Sequence, residues 1–296
     1  MEAPASAPDL RSKRTWRSTK NQLMIGLMFL AFVAILMPLL FVMGSVISRG
    51  AAIVFRDFPA WFTSTIPIRE RQAGPGMGPA IVGTILITAV AAAIAIPMGV
   101  LSAVYLNEYG KQSRSARTIR FLSTVMTGVP SIVMGLFISV TFTLAFGFSG
   151  LGGALGLACL MLPVVVRTTE EMLRLVPDHL REASYALGTR KARTITSVVL
   201  PTAAPGVVSG CLLAVARAAG ETAPLLFTIG AAKQFNWNVL SGANTALSYQ
   251  IFQNAFSSKL PAQERGWGAA FTLVAIAFLF TIIARVVTSR YQKRRG

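Results

Sequence analysis

Apolar residues in this chain fall in long blocks, not at the two-residue alternation of a strand or the three-to-four-residue spacing of a half-exposed helix. The first block, LMIGLMFLAFVAILMPLLFVMGSVI, spans residues 23–47, and others cover 80–106, 119–147, 154–169, 197–219 and 266–288. About 20 apolar residues carry a helix across a bilayer, and several of these blocks reach that length. Backbone groups in lipid have no water to bond, so such a segment crosses as a helix. The pattern predicts an all-α polytopic membrane protein with six transmembrane helices.

Local residues refine that outline. Pro38 and Pro97 sit inside the first and second helices and kink them. The stretch AVAAAIAIP at 89–97 offers small side chains for close helix packing. The VPS turn at 129–131 divides the third block, which reads either as one bent helix or as a helix with a short broken start. Polar segments set the boundaries: a basic cytoplasmic tail at 1–22, a six-helix transmembrane domain at 23–288 and a basic cytoplasmic tail at 289–296. The opening MEAPASAPDL is expected to be disordered. The RSKRTWRSTK that follows is expected to rest on the membrane surface with Trp16 among the headgroups. Within the domain, the longest charged connector is 170–196. The mixed polar and aromatic segment 220–265 is expected to form short interfacial helices on the extracytoplasmic side. The run 23–47 exceeds the roughly 7–15-residue apolar core of a signal peptide and is read as a permanent helix.

Charge sets the orientation. Lys and Arg outnumber Asp and Glu by 28 to 11, for a formal net charge of +17. In a soluble protein that balance suggests nucleic-acid binding, but here the basic residues crowd the ends of the apolar blocks. With both termini inside, segments 1–22, 107–120, 167–196 and 285–296 carry five, four, six and five of them, against four in 48–79 and three in 220–265. This is the positive-inside bias, and it requires an even number of crossings. The expected surroundings are membrane lipid, and no nucleic-acid partner is expected. Cys159 and Cys211 lie within apolar blocks as packing residues. The single histidine, His179, has no cysteine cluster beside it, so no metal site is expected. No Ser/His/Asp arrangement or carboxylate pair within a span points to catalysis.

The charged connector carries the most specific pattern. REASYALGTRKARTITSVVLP at 181–201 reads as an amphipathic helix, a turn at Gly188 and a basic stretch re-entering the membrane at Pro201. From the residues alone it is either an anchor for the membrane edge or a docking element. Its order is Glu182-Ala183-Ser184, three residues, Gly188, nine residues, then Val198-Val199-Leu200-Pro201. That order resembles the signature loop of bacterial ATP-binding-cassette importer permeases, which begins Glu-Ala-Ala and ends Ile-x-Leu-Pro. Ser184 and Val198 are mild departures. PMGVLSAVYLNEYG (97–110) and ARAAGETAPLLFTIG (216–230) narrow the likeness to the A-type permease of the high-affinity phosphate importer, over nearly the whole chain from about residue 20. The resemblance implies a type I importer permease whose segment near 178–194 is a coupling helix. It makes Arg181, Glu182, Ala183 and Gly188 the contacts with the ATPase. It also implies the partners: a second homologous permease, two ATPase subunits and an extracytoplasmic phosphate-binding protein. This chain has no G-x-x-x-x-G-K-[ST] motif, so ATP and Mg belong on the partner ATPase and no cofactor is expected here.

Arg217 and Glu221, four apart at the end of the fifth block, share a helix face, and ionisable groups in a span are costly unless paired or wet. Gly220 and Pro224 break the helix beside them. One reading is a substrate pathway, with Arg217 offering paired donors to phosphate oxygens, Glu221 holding it and Thr222 adding a hydroxyl. The other is a structural pair at the outer interface, with Arg217 snorkelling and Thr222 a helix cap. The resemblance favours the pathway. Glu108 is expected to pair at the surface with Lys111 and Arg114, and Glu170 and Glu171 to meet a basic partner surface. A permease for another oxyanion or small solute is the nearest alternative. A secondary transporter is more distant, since it leaves the 182–201 pattern without a purpose.

Overall fold

The structure is a computed structural model, described for residues 16–72, 74–110 and 113–293, with the side chains at 284, 287 and 290–293 set aside. The expectations for residues 1–15, Lys111 and the last three residues lie outside these. The chain divides into two compact units, residues 1–48 and 49–296. In the first, α1 (Trp16–Ser45) has 30 residues, with Pro38 inside and no buried side chain. At 1.5 Å per residue it is about 45 Å long. It is already helical at Trp16, ahead of the apolar block, because nothing between Trp16 and Leu23 interrupts a helix.

In the second unit, α2 (Ala51–Arg56) and α3 (Ala60–Thr63) precede the long α4 (Gly78–Tyr109), which closes in a wide π-type turn at Tyr105–Tyr109. Next come α5 (Arg114–Gly128) and α6 (Ser131–Phe146), bent by 105° from one another. Pro130 causes the bend: its ring drives Val129 out of the helical region, to φ −72° and ψ 127°. The third block is therefore a broken span. α7 (Gly150–Arg174) starts where the Ser149 hydroxyl accepts from the Gly152 amide at 3.2 Å. It outruns its apolar block because Arg167–Glu171 and Glu170–Arg174 pairs brace its last turns. α8 (Asp178–Ala186) is followed by α9 (Lys191–Ala219), α10 (Ala223–Thr228), α11 (Leu247–Ala255) and α12 (Leu260–Lys293). Five stretches are long and apolar enough to cross a membrane, and α5 with α6 makes a sixth if the bent pair counts as one span.

The main core joins α4, α7 and α9. Ala91 and Ala95 of the small-residue stretch are fully buried against it, with Leu157, Met161 and Val165 of α7 and Val207, Cys211 and Ala214 of α9. Small residues are needed where backbones approach this closely: a Cβ on Gly99 would stand 2.6 Å from Val165 Cγ1. A second core gathers Trp61, Met77, Ala80, Leu247 and Ala269, and the Trp61 indole donates to the Thr272 hydroxyl at 3.0 Å. α11 belongs to this interior, with Leu247, Ser248, Tyr249, Gln250 and Asn254 buried, so segment 220–265 is more than a set of interfacial helices. Its start is fastened to α4 by the Leu247 amide, which donates to the Thr84 hydroxyl at 2.8 Å.

Gly83 lies beside that bond, and a Cβ there would collide with the Thr245 carbonyl. Gly83→Ala should therefore lower stability by about 1–3 kcal/mol, the usual range for forced overpacking. Gly128→Ala, in open space, should not. Thermal melting of the two purified variants distinguishes them.

Candidate coupling loop and substrate pathway

Pro177 is extended and starts α8, which presents two different faces. Arg181 and Ser184 are buried, whereas Glu182, Ala183, Tyr185 and Leu187 are exposed. The Arg181 guanidinium donates from Nη2 to Glu108 Oε1 at 3.0 Å and to the Leu173 carbonyl at 3.0 Å. From Nη1 it reaches the Val176 carbonyl at 2.6 Å and Asp178 Oδ1 at 3.0 Å. Those carbonyls lie at the C-terminal end of α7, where the helix dipole attracts a cation. The side chains of Arg181 and Glu108 are 9% and 3% exposed, and Asn107 Nδ2 donates to the same Glu108 oxygen at 2.8 Å. Arg181 thus fastens α8 inward to α4 and α7, while Glu182 and Ala183 face out beside it.

Gly188 takes φ +76° with no other atom near its would-be side chain. It serves the turn after α8, where its amide donates to the Tyr185 carbonyl at 2.9 Å. Ser184, the departure from the second Ala of the signature, lies 2.6 Å from the Thr189 hydroxyl and 2.9 Å from that of Thr194. That hydroxyl cluster closes the loop, and a neutral departure in sequence becomes a structural link. Lys191 Nζ stands 4.7 Å from the Tyr109 ring centroid, tying the start of α9 to the end of α4. His179 is exposed.

Two expectations are corrected. Glu108 is no surface carboxylate: it is buried and paired with Arg181, 73 residues away, because the turn at Tyr105–Tyr109 points it at the coupling loop. Glu170 does not face outward for a partner. It is 11% exposed and accepts from Arg120 at 2.8 Å and Arg174 at 2.6 Å. Glu171 remains half exposed and pairs with Arg167 at 3.2 Å.

The far end of α9 holds the other pair. Arg217 Nε stands 3.5 Å from Glu221 Oε1, with the arginine 72% exposed and the glutamate 22%. The helix ends at Ala219, Gly220 caps it, and α10 begins at Ala223 with Pro224 in its first turn. Thr222 sits at the cap position of α10, but its hydroxyl makes no capping bond. The Ser248 hydroxyl holds the break through the Glu221 carbonyl at 2.9 Å. The cleft beside Arg217, lined by Leu160, Met161, Val164, Ala214 and Ala218, holds only about 10 Å³. The cleft is shallow, and Arg217 projects from it. Among the described residues, no group of three or more His, Cys, Asp or Glu could hold a metal ion.

The family described as binding-protein-dependent transport system inner membrane component matches residues 95–294. The chain belongs to this family. It is accordingly a multi-pass inner-membrane permease component. Its relatives include the phosphate transport system permease protein PstA 1 of Mycobacterium tuberculosis (strain ATCC 25618 / H37Rv), 40% identical over 298 residues, 100% of this chain and 96% of that protein. Another is the phosphate transport system permease protein PstA of Haemophilus influenzae, 36% identical over 272 residues, covering 92% of this chain and 94% of that protein. Among solved structures, the inward-facing MetNI methionine ABC transporter aligns with TM-score 0.57 at 19% identity, covering 71% of this chain and 91% of that one. A bacterial ABC transporter for alginate import aligns with TM-score 0.58 at 14% identity, covering 94% and 99%. At those identities the likeness is one of fold.

For this family member the buried pair yields a clear expectation. Arg181→Met strands the Glu108 carboxylate and should cost about 3–5 kcal/mol. Adding Glu108→Gln removes the stranded charge and should restore part of that loss, so melting of both single variants and the double gives a non-additive cycle.

Proposed function

We propose that this chain is one of two related permease subunits of an ATP-driven importer of inorganic phosphate. Arg217 carries the reading: a highly exposed guanidinium, steadied by Glu221 at a helix break, on a wall too shallow to enclose a ligand alone. A planar fork of donors suits two oxygens of a phosphate. The near-full-length relatives that bear the name of phosphate permeases support the substrate. The second permease supplies the opposite wall. Two ATPase subunits bind ATP and Mg, and an extracytoplasmic phosphate-binding protein delivers the ion to the outer loops.

In this reading α8 is the coupling helix. Its exposed face, with Glu182, Ala183 and the turn at Gly188, meets the ATPase, and its inner face, through Arg181, passes the displacement to α4 and α7. ATP closes the ATPase pair, the spans reorient, and phosphate moves past Arg217 and Thr222 to the cytoplasm. Arg181 then works as an anchor behind the contact surface.

The test is ATP-driven uptake of labelled phosphate into vesicles holding the whole complex, with sulfate and molybdate as competitors. Arg217→Ala should lower uptake about tenfold or more, from lost charge-assisted hydrogen bonds, with assembly intact. Normal uptake by that variant would make the pair structural, and preference for a competitor would move the substrate to another oxyanion. Separately, Glu182→Lys should reduce co-purification of the ATPase without lowering the melting temperature, because the side chain lies outside the packed face. Retained ATPase at full occupancy would place the contact elsewhere.

A further inference from the structure

A second basic cavity lies apart from Arg217. It holds about 370 Å³ between α5 and α7, and Arg120, Arg167 and Arg174 line it with Ser123, Thr124 and Thr127, of which the two threonine hydroxyls donate to carbonyls of α5. Glu170 and Glu171 line it too, but the two carboxylates stand differently. Glu170 accepts from Arg120 Nε and Arg174 Nη2 on one oxygen, at 2.8 and 2.6 Å. A single buried carboxylate thus orders two guanidiniums and neutralises one. Arg120 also donates to the Leu106 carbonyl at 2.9 Å. Each guanidinium carries five N–H donors, so both keep donors beyond these bonds. Arg167 pairs with Glu171 at 3.2 Å in an exposed position.

The cavity is joined to the Arg217 cleft by the geometry of α7. Leu160 and Val164 line that cleft, while Arg167 and Glu171 line the cavity. The four residues are spaced four, three and four apart, which is one face of a helix. From Val164 to Arg174 the rise is about 15 Å, toward the end that carries the coupling loop.

We propose that this cavity is a second oxyanion site, on the cytoplasmic side of Arg217, that takes inorganic phosphate before its release. The proposal rests on the reading of the chain as a phosphate permease. Guanidinium groups fixed by Glu170 offer donors to a tetrahedral phosphate oxyanion, and the Ser123 hydroxyl offers another. The neighbouring carboxylates weaken the hold, which suits a site that must let its ligand go. A phospholipid headgroup carries the same oxyanion, and α5 also exposes Phe121, Leu122 and Val125, so the two sources are separated by experiment.

The probe is labelled inorganic phosphate, dialysed to equilibrium against the whole complex in phosphatidylcholine nanodiscs, without nucleotide or binding protein. The intact complex should bind it saturably. Arg174→Gln with Ser123→Ala should weaken binding about tenfold, as for lost charge-assisted bonds, with the complex still assembled because Arg120 keeps its pair with Glu170. Ser123→Ala alone, which breaks no ion pair, should show a smaller loss. Undiminished binding by the double variant overturns the proposal, as does no saturable binding by a complex that still imports phosphate. In both cases the Arg217 pathway stands. If the intact complex imports no phosphate, the permease reading has failed and takes this proposal with it. If phosphatidylglycerol in the disc abolishes phosphate binding, the headgroup is the occupant and phosphate is not.

Discussion

A charge placed in or near a bilayer must be paired, wet, or fastened to backbone dipoles, and that constraint organises this molecule. Arg181 satisfies it completely: Glu108, Asp178 and two carbonyls at the end of α7 surround its guanidinium. Glu170 satisfies it from the other sign, with two arginines on one oxygen. Each network brings segments far apart in sequence to the end of α7, and the coupling loop sits on the platform they make. Arg217 is the contrast. Among the described residues its one salt-bridge partner, Glu221, stands at 3.5 Å, and most of its side chain is open where that of Arg181 is enclosed.

Packing divides the labour between rigid and broken elements. α4 and α7 meet through alanines and glycines, where side chains leave no slack, and close-packed interiors transmit displacement instead of absorbing it. Breaks are placed where the chain must turn against this block: at Val129–Pro130, between α5 and α6, and at residues 220–222, between α9 and α10. The second break is held by its own hydrogen bonds, through the Glu221 carbonyl and the Thr222 carbonyl that accepts from Leu225 and Leu226. A fixed break keeps Arg217 and Thr222 at a constant offset, which a flexible loop would not.

The hydrophobic blocks made the fold class and the crossings legible, because a bilayer enforces their length. The signature loop stands out for another reason: its resemblance rests on a long pattern with fixed spacing, from Glu182 through Gly188 to Pro201. The pairing of Glu108 with Arg181 was not, since 73 residues separate them and only the closing turn of α4 aims one at the other. Arg114, a neighbour in sequence, is the natural but mistaken partner, and Lys111 lies outside the described residues. Ser184 was read as a tolerated departure, and its role depends on Thr189 and Thr194 folding back across Gly188. The bend at Pro130 was left between two readings because proline states that a helix is disturbed without stating the angle.

α9 runs between the proposed coupling loop and the proposed substrate wall. It starts at Lys191, against Tyr109 and the coupling loop, and ends at Ala219, two residues past Arg217. Twenty-nine residues make a rod of about 43 Å, with one wide turn at Ile195–Val199 near its start. The coupling helix is also locked to α4 and α7 through Arg181, and both pack on α9. In the proposed cycle a push at α8 acts on the bundle as a block, and Arg217 stands exposed at the far end of α9. In that proposed cycle the buried pair makes the motion common to three helices, and the exposed pair is where that motion changes what an anion meets.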